Sequence, residues 1–235
     1  MTVNEIMTQL EQMGDAQTKK TLMKHGAQEP FFGVKVADLK TILKKTKKNH
    51  ELSLELYKTG NSDAMYLAGL MADETKITKA QLNEWIEAAY WYYLSEFAVP
   101  WVAAETPFGF ELGLNWITSK KETTASGGWQ TLSCFAAVNS DDKLDIKKYN
   151  ELLDLVAKDI HSAQNRVKQS MNAFVIAIGS TIKELTPKAL EIAAKIGAVT
   201  VDMNGTACKT PLATEYIQKV ADKGKIGAKK ATARC

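Results

Sequence analysis

The sequence predicts an all-α fold, a solenoid of stacked helix pairs. Apolar residues recur at three- and four-residue spacing along most of the chain, the period of a helix with one buried face. Only five prolines occur in 235 residues, and the alternating Val/Ile/Thr runs that mark strands are scarce. The links between periodic segments are short, so neighbouring helices should run antiparallel. Pairs recur at roughly 35–40 residues without a strict sequence repeat, which fits a degenerate solenoid better than a closed bundle. Stacked pairs leave a concave face, a binding surface by geometry.

The elements follow in order. Val3 to Met13 carries an apolar stripe, and Asp15 to Lys24 continues it until His25-Gly26. Pro30 to Val34 reads as a connector before a helix over Val36–Lys45. Leu52–Tyr57 is a short helix ended by Thr59-Gly60-Asn61, and Ser62 is placed to cap Asp63–Ala72. Thr78-Lys79-Ala80-Gln81 resembles a capping box, opening a long Leu82–Tyr93 helix. Thr106-Pro107 opens a helix through Phe110, Leu114 and Ile117. A polar connector from Lys120 to Gly128 leads to Trp129–Val138, and further helices span Ile146–Ile160, Arg166–Ile182, Pro187–Ile196 and Pro211–Ala221. Residues 1–222 form one domain on this reading, and the lysine-rich 223–235 segment is a mobile basic tail.

With 45% hydrophobic and 24% charged residues the chain has the composition of a soluble globular domain. Its three cysteines, Cys134, Cys208 and Cys235, are too far apart for a disulfide framework. The N-terminus lacks a basic-then-apolar leader and no apolar run reaches membrane-spanning length, so the expectation is a cytoplasmic protein with no membrane partner. The histidines His25, His50 and His161 have no metal-ligand spacing and read as surface residues. No phosphate-binding glycine loop occurs, so neither a metal nor a nucleotide cofactor is expected. A monomer is the simplest state.

Net charge is +3, unevenly spread. Residues 1–50 carry nine lysines against five acids, and 166–235 carry twelve basic residues against five acids. Residues 51–110 hold three lysines against nine acids. Basic ends can grip phosphates while an acidic middle opposes them. With only Arg166 and Arg234 available, planar bidentate phosphate recognition is largely missing.

Chemistry concentrates at Tyr90-Trp91-Tyr92-Tyr93, followed by Glu96. On a helix, Tyr92 and Glu96 lie on one face, one turn apart. An aromatic wall beside a carboxylate suits a flat cationic group such as an alkylated purine. Rings packed in the core beside a solvated Glu96 explain the same spacing. The Val201–Pro211 loop places Cys208 ahead of a helix start, where a helix dipole lowers a thiol's pKa. No histidine lies near it in sequence, and a structural loop is the plainer reading.

Several segments together resemble the DNA alkylation repair family, the HEAT-like repeat alkylpurine DNA glycosylases. They are Phe32–Lys40, Glu55–Tyr57 with the Met65–Met71 helix, Leu82–Pro100, Ser170–Ile178, and the terminal Lys-Lys-Ala-Thr-Ala-Arg-Cys. The resemblance covers most of the chain and implies an all-α HEAT-like superhelix with a DNA-sized concave groove. It implies a site of a Trp, an Asp one turn later, a second Trp and an Arg, acting on double-stranded DNA, alkylated or otherwise structured.

This sequence has Tyr92 at the first Trp, Glu96 at the Asp and Phe174 at the second Trp. Gln130 is the nearest match to the Arg. The resemblance makes Glu96 the catalytic carboxylate, with Tyr92, Trp91, Phe174 and Gln130 against the lesion. Lys40, Lys44, Lys45, Arg166 and Lys168 are then the backbone contacts. Three readings stay open: a glycosylase for cationic N3- or N7-alkylpurines, a non-catalytic DNA- or protein-binding module of the same ancestry, and a thiol activity at Cys208.

Overall fold

The computed structural model describes residues 1–234. Within them the chain forms α1 (Val3–Met13), α2 (Ala16–Lys24), α3 (Val36–Thr46), α4 (His50–Lys58), α5 (Ser62–Met71) and α6 (Lys79–Ala88). A π segment, Tyr93–Ala98, runs directly into α7 (Val99–Ala104), followed by α8 (Gly109–Trp116) and α9 (Glu122–Val138). The remainder is α10 (Ile146–Asp159), α11 (Asn165–Thr181), α12 (Thr186–Ile196) and α13 (Ala213–Asp222), with single 3-10 turns before α10 and α12. No strand occurs among the described residues.

Side-chain caps fix several of the starts. Thr2 and Glu5 form a capping box on α1, Asp15 caps α2, and Thr78 with Gln81 forms a second box on α6. Asn61, not Ser62, caps α5 by accepting from the Asp63 and Ala64 N–H groups.

The helices make two layers. An inner row runs from α5 through the π segment and α7 to α9, α11 and α13, each touching the next. In the outer layer α4 packs on α5, α6 on α7, α8 on α9, and α10 and α12 on α11. All ten residues of α5 are buried, as an inner helix covered on both sides must be. Two apolar cores result, one spanning Ile6 to Trp116 and the other Ala104 to Ile217, with Cys134 packed against both.

Two further sequence expectations are corrected. The Lys120–Gly128 connector is the first half of α9. Its glycine pair serves close packing: a Cβ on Gly127 would lie 2.6 Å from the Ser95 carbonyl oxygen, and one on Gly128 2.5 Å from the Ile117 nitrogen. His50 is buried, unlike a surface histidine.

The basic tail, expected from the sequence to be mobile, makes defined contacts with the body. Gly227 and Lys230 donate backbone N–H groups to the Ser180 and Ala137 carbonyls, and Lys229 pairs with Asp141 at 2.7 Å. Arg234, its side chain only 8% exposed, pairs with Glu74 at 3.0 Å and Glu105 at 3.2 Å. Cys235 lies outside the described residues.

Candidate functional site

The aromatic run does not continue a helix. α6 ends at Ala88, and the chain turns through Ala89–Trp91 before the π segment. There the Val99 N–H reaches back five residues to the Leu94 carbonyl. Pro100, next in line, has no N–H to give the Glu96 carbonyl, so an α ladder is already interrupted at this point. Single π turns of this kind concentrate at functional sites. Tyr92 has helical backbone angles just before the turn, while Glu96 lies within it.

Arg166, at the start of α11, brings the two together. Its Nε and Nη2 donate to the two Glu96 carboxylate oxygens at 2.8 and 2.5 Å, a bidentate charge-assisted pair. Its guanidinium also lies 4.3 Å from the Tyr92 ring centre. The guanidinium is thus sandwiched between ring and carboxylate. Glu122, opening α9, accepts the Arg166 backbone N–H at 2.8 Å and so fixes where α11 begins.

Electrostatically, burial pushes the Glu96 carboxyl above its ordinary range, against the hydrogen bonds and charge of Arg166. Glu122 adds to the upward push and Ser126 opposes it. Burial also raises the Tyr92 phenol to about 12. The Glu96 side chain is 2% exposed.

Beside the pair opens a pocket of about 560 Å³. Tyr90, Trp91, Tyr92, Tyr93 and Phe97 line one part and Arg166 another, with His25, Glu122 and the Asp202–Lys209 loop around them. The loop is pinned to α11 at both ends. Asn165 exchanges two hydrogen bonds with the Asp202 backbone at 2.9 and 2.7 Å, and Asn172 donates to the Pro211 carbonyl. Trp91 stacks on Tyr93 and donates its indole N–H to Ser62 at 2.7 Å.

The structure therefore unites Tyr92, Trp91, Glu96 and Arg166, and leaves two expected site residues elsewhere. Phe174 is fully buried in the second core, edge-on to Trp129 at 5.0 Å, because α11 turns that face inward. Gln130, half-buried on α9, is not on the pocket wall. In the structure the guanidinium beside Glu96 is that of Arg166, which donates to both of its carboxylate oxygens.

Lys40, Lys44, Lys45 and Lys168 have no ion-pair partner among the described residues. Cys208 is exposed on the pocket rim, and its loop runs to Leu212, so the helix starts at Ala213, beyond Pro211. Among the described residues, no three His, Cys, Asp or Glu side chains are grouped to hold a metal, and no helix is long and apolar enough to cross a membrane.

The model of the family described as DNA alkylation repair enzyme matches residues 6–216. The chain belongs to this family. It is 31% identical to an uncharacterized protein of Listeria innocua over 229 residues, 95% of this chain and 99% of that one. It is also 31% identical to an uncharacterized protein of Listeria monocytogenes over 231 residues, 96% and 100% of the two chains. A solved structure covers both chains completely, with a TM-score of 0.92 and 36% identity. That structure is described as a new family of proteins related to the HEAT-like repeat DNA glycosylases with affinity for branched DNA structures. The all-α HEAT-like architecture expected from the sequence is thereby shown.

Proposed function

We propose that this member of the DNA alkylation repair family binds branched or otherwise distorted DNA and does not excise bases. One observation carries the reading: both oxygens of Glu96, the carboxylate in the position of the excising Asp, are held by Arg166 in a nearly closed site. A carboxylate that stabilises cationic sugar character must face the sugar with its charge available. Here that charge is already neutralised. The relative with affinity for branched DNA matches this chain over its full length, which supports the substrate class. The basic first and last segments, with Lys40, Lys44, Lys45 and Lys168 free of ion pairs among the described residues, offer phosphate contacts.

Excision is the second reading, favoured by the placement of Glu96 and Tyr92 around one guanidinium. It requires Arg166 to leave Glu96 for a phosphate. Purified protein incubated with duplex DNA carrying one 7-methylguanine distinguishes the two. No base release above the protein-free control is expected, together with tighter binding of a three-way junction than of a linear duplex. Base release that vanishes in Glu96→Gln would overturn the proposal. Affinity should also fall steeply with salt, because bound phosphates displace counterions.

A further inference from the structure

We infer that the pocket beside the Arg166–Glu96 pair receives one unpaired nucleobase of the bound DNA, an inference that rests on the DNA-binding reading above. Its volume, about 560 Å³, is that of a small-molecule site. Half-buried rings of Tyr92, Tyr93 and Phe97 line it. Aromatic faces hold bases by stacking without regard to sequence.

The polar lining makes the pocket more than a greasy cleft. Ser95, Thr123 and Gln169 all line it, and Ser95 Oγ, Thr123 Oγ1 and Gln169 Oε1 are buried with no hydrogen-bond partner among the described residues. Ser95 is completely buried. Buried polar atoms without partners are uncommon, because each costs free energy that a bound group restores. Two hydroxyls and an amide oxygen offer both donors and acceptors, the complement of the edge a base exposes when its pairing partner is gone. In an intact duplex that edge is occupied, so the pocket selects unpaired bases.

Alternatives of other chemistry fit less well. The cationic charge of Arg166 is neutralised by Glu96, and among the remaining lining charges Glu122 and Asp202 outnumber Lys209, which disfavours a phosphate or other anion. A neutral, flat molecule with a polar edge suits the aromatic wall and the unpaired hydroxyl and amide groups of the lining. Branched DNA supplies such a base at its branch point.

The test uses the full-length protein and two three-way junctions that differ at one unpaired branch-point nucleotide. One carries 2-aminopurine there, the other a base-free tetrahydrofuran unit. The base-bearing junction should bind about tenfold tighter, with 2-aminopurine fluorescence quenched on binding. Gln169→Met keeps side-chain length but removes the acceptor, and should narrow that ratio. Thr123→Val, similar in shape, should do the same and guards against misfolding of the first variant.

Equal affinity for both junctions with unchanged fluorescence would overturn the base pocket while leaving branched-DNA binding standing. Failure of both junctions to bind better than linear duplex would overturn both readings. An undiminished ratio in the two variants would overturn the role of the polar lining.

Discussion

Removing the guanidinium from the Arg166–Glu96 pair gives the sharpest test of the site's energetics. Arg166→Met keeps much of the apolar stem and deletes two charge-assisted hydrogen bonds at 2.8 and 2.5 Å. Glu96, 2% exposed, is left as an unpaired buried carboxylate. Breaking such a pair from one side costs about 3–5 kcal/mol. Protonation limits the loss: neutralising a carboxyl of ordinary pKa 4.5 at pH 7 costs about 3 kcal/mol. The expected penalty at pH 7 is therefore about 3 kcal/mol, or roughly 6–12 °C in Tm for a chain of this length.

The sign with pH follows from the raised folded-state pKa of Glu96. Its contribution to stability is fully present below the unfolded value and is lost as pH rises through the folded one. Without Arg166 that loss grows, so the penalty at pH 5 should shrink to about 1 kcal/mol or less. Urea denaturation followed by circular dichroism at pH 7 and pH 5 measures both. The double variant Arg166→Met/Glu96→Leu should recover most of the stability, since replacing a whole buried pair with apolar groups is often neutral. A penalty under about 1 kcal/mol at pH 7, or one that does not change with pH, would refute the argument.

Other consequences can be checked separately. Gly127→Ala places a methyl group 2.5 Å from Ile86 Cδ1 and 2.6 Å from a carbonyl oxygen, and should destabilise by about 2–3 kcal/mol in thermal melts. Although burial tends to raise the Glu74 carboxyl, hydrogen bonding from Lys48 and the charges of Arg234 and Lys48 outweigh it and leave the pKa below 4.5. A depressed carboxyl stabilises the fold above its unfolded pKa and loses that contribution as pH falls through the folded value. Glu74→Gln should therefore lower stability at pH 7 and flatten its fall below about pH 4.5, and an unchanged acid limb would count against the pairing of Glu74 with Lys48 and Arg234. Burial also raises the Cys134 thiol to about 12. In a Cys208→Ala/Cys235→Ala variant, a disulfide reagent at pH 8 should find no thiol until the protein is unfolded.

Helix order was legible because apolar period and capping residues are local: Thr78 and Gln81 form the box that their spacing predicts. Legibility failed where a distant partner decided the outcome. Gly127 and Gly128 read as a connector because glycine weakens an isolated helix. Close contacts with Ser95, Ile86 and Ile117 make them necessary inside one. Spacing placed Tyr92 and Glu96 together but could not reveal Arg166, seventy residues beyond Glu96. Phe174 stood at a plausible position, yet which face of α11 turns inward depends on α9 and the ring of Trp129. The tail's lysines suggested solvent, while Arg234 found two acids, Glu74 and Glu105, that lie far apart in sequence and meet at one guanidinium.

The π segment carries a lesson for sequence change at this position. A π turn holds one residue more than an α turn of equal height, so Tyr93–Ala98 contains in effect an inserted residue. Deleting one of the six would allow a regular helix to run into α7. It would also swing the preceding side chains by about 100° around the axis, carrying Tyr92 away from the guanidinium it now covers. A tidier backbone would thus dismantle the site, and the irregular turn is the means by which ring, carboxylate and arginine share one point.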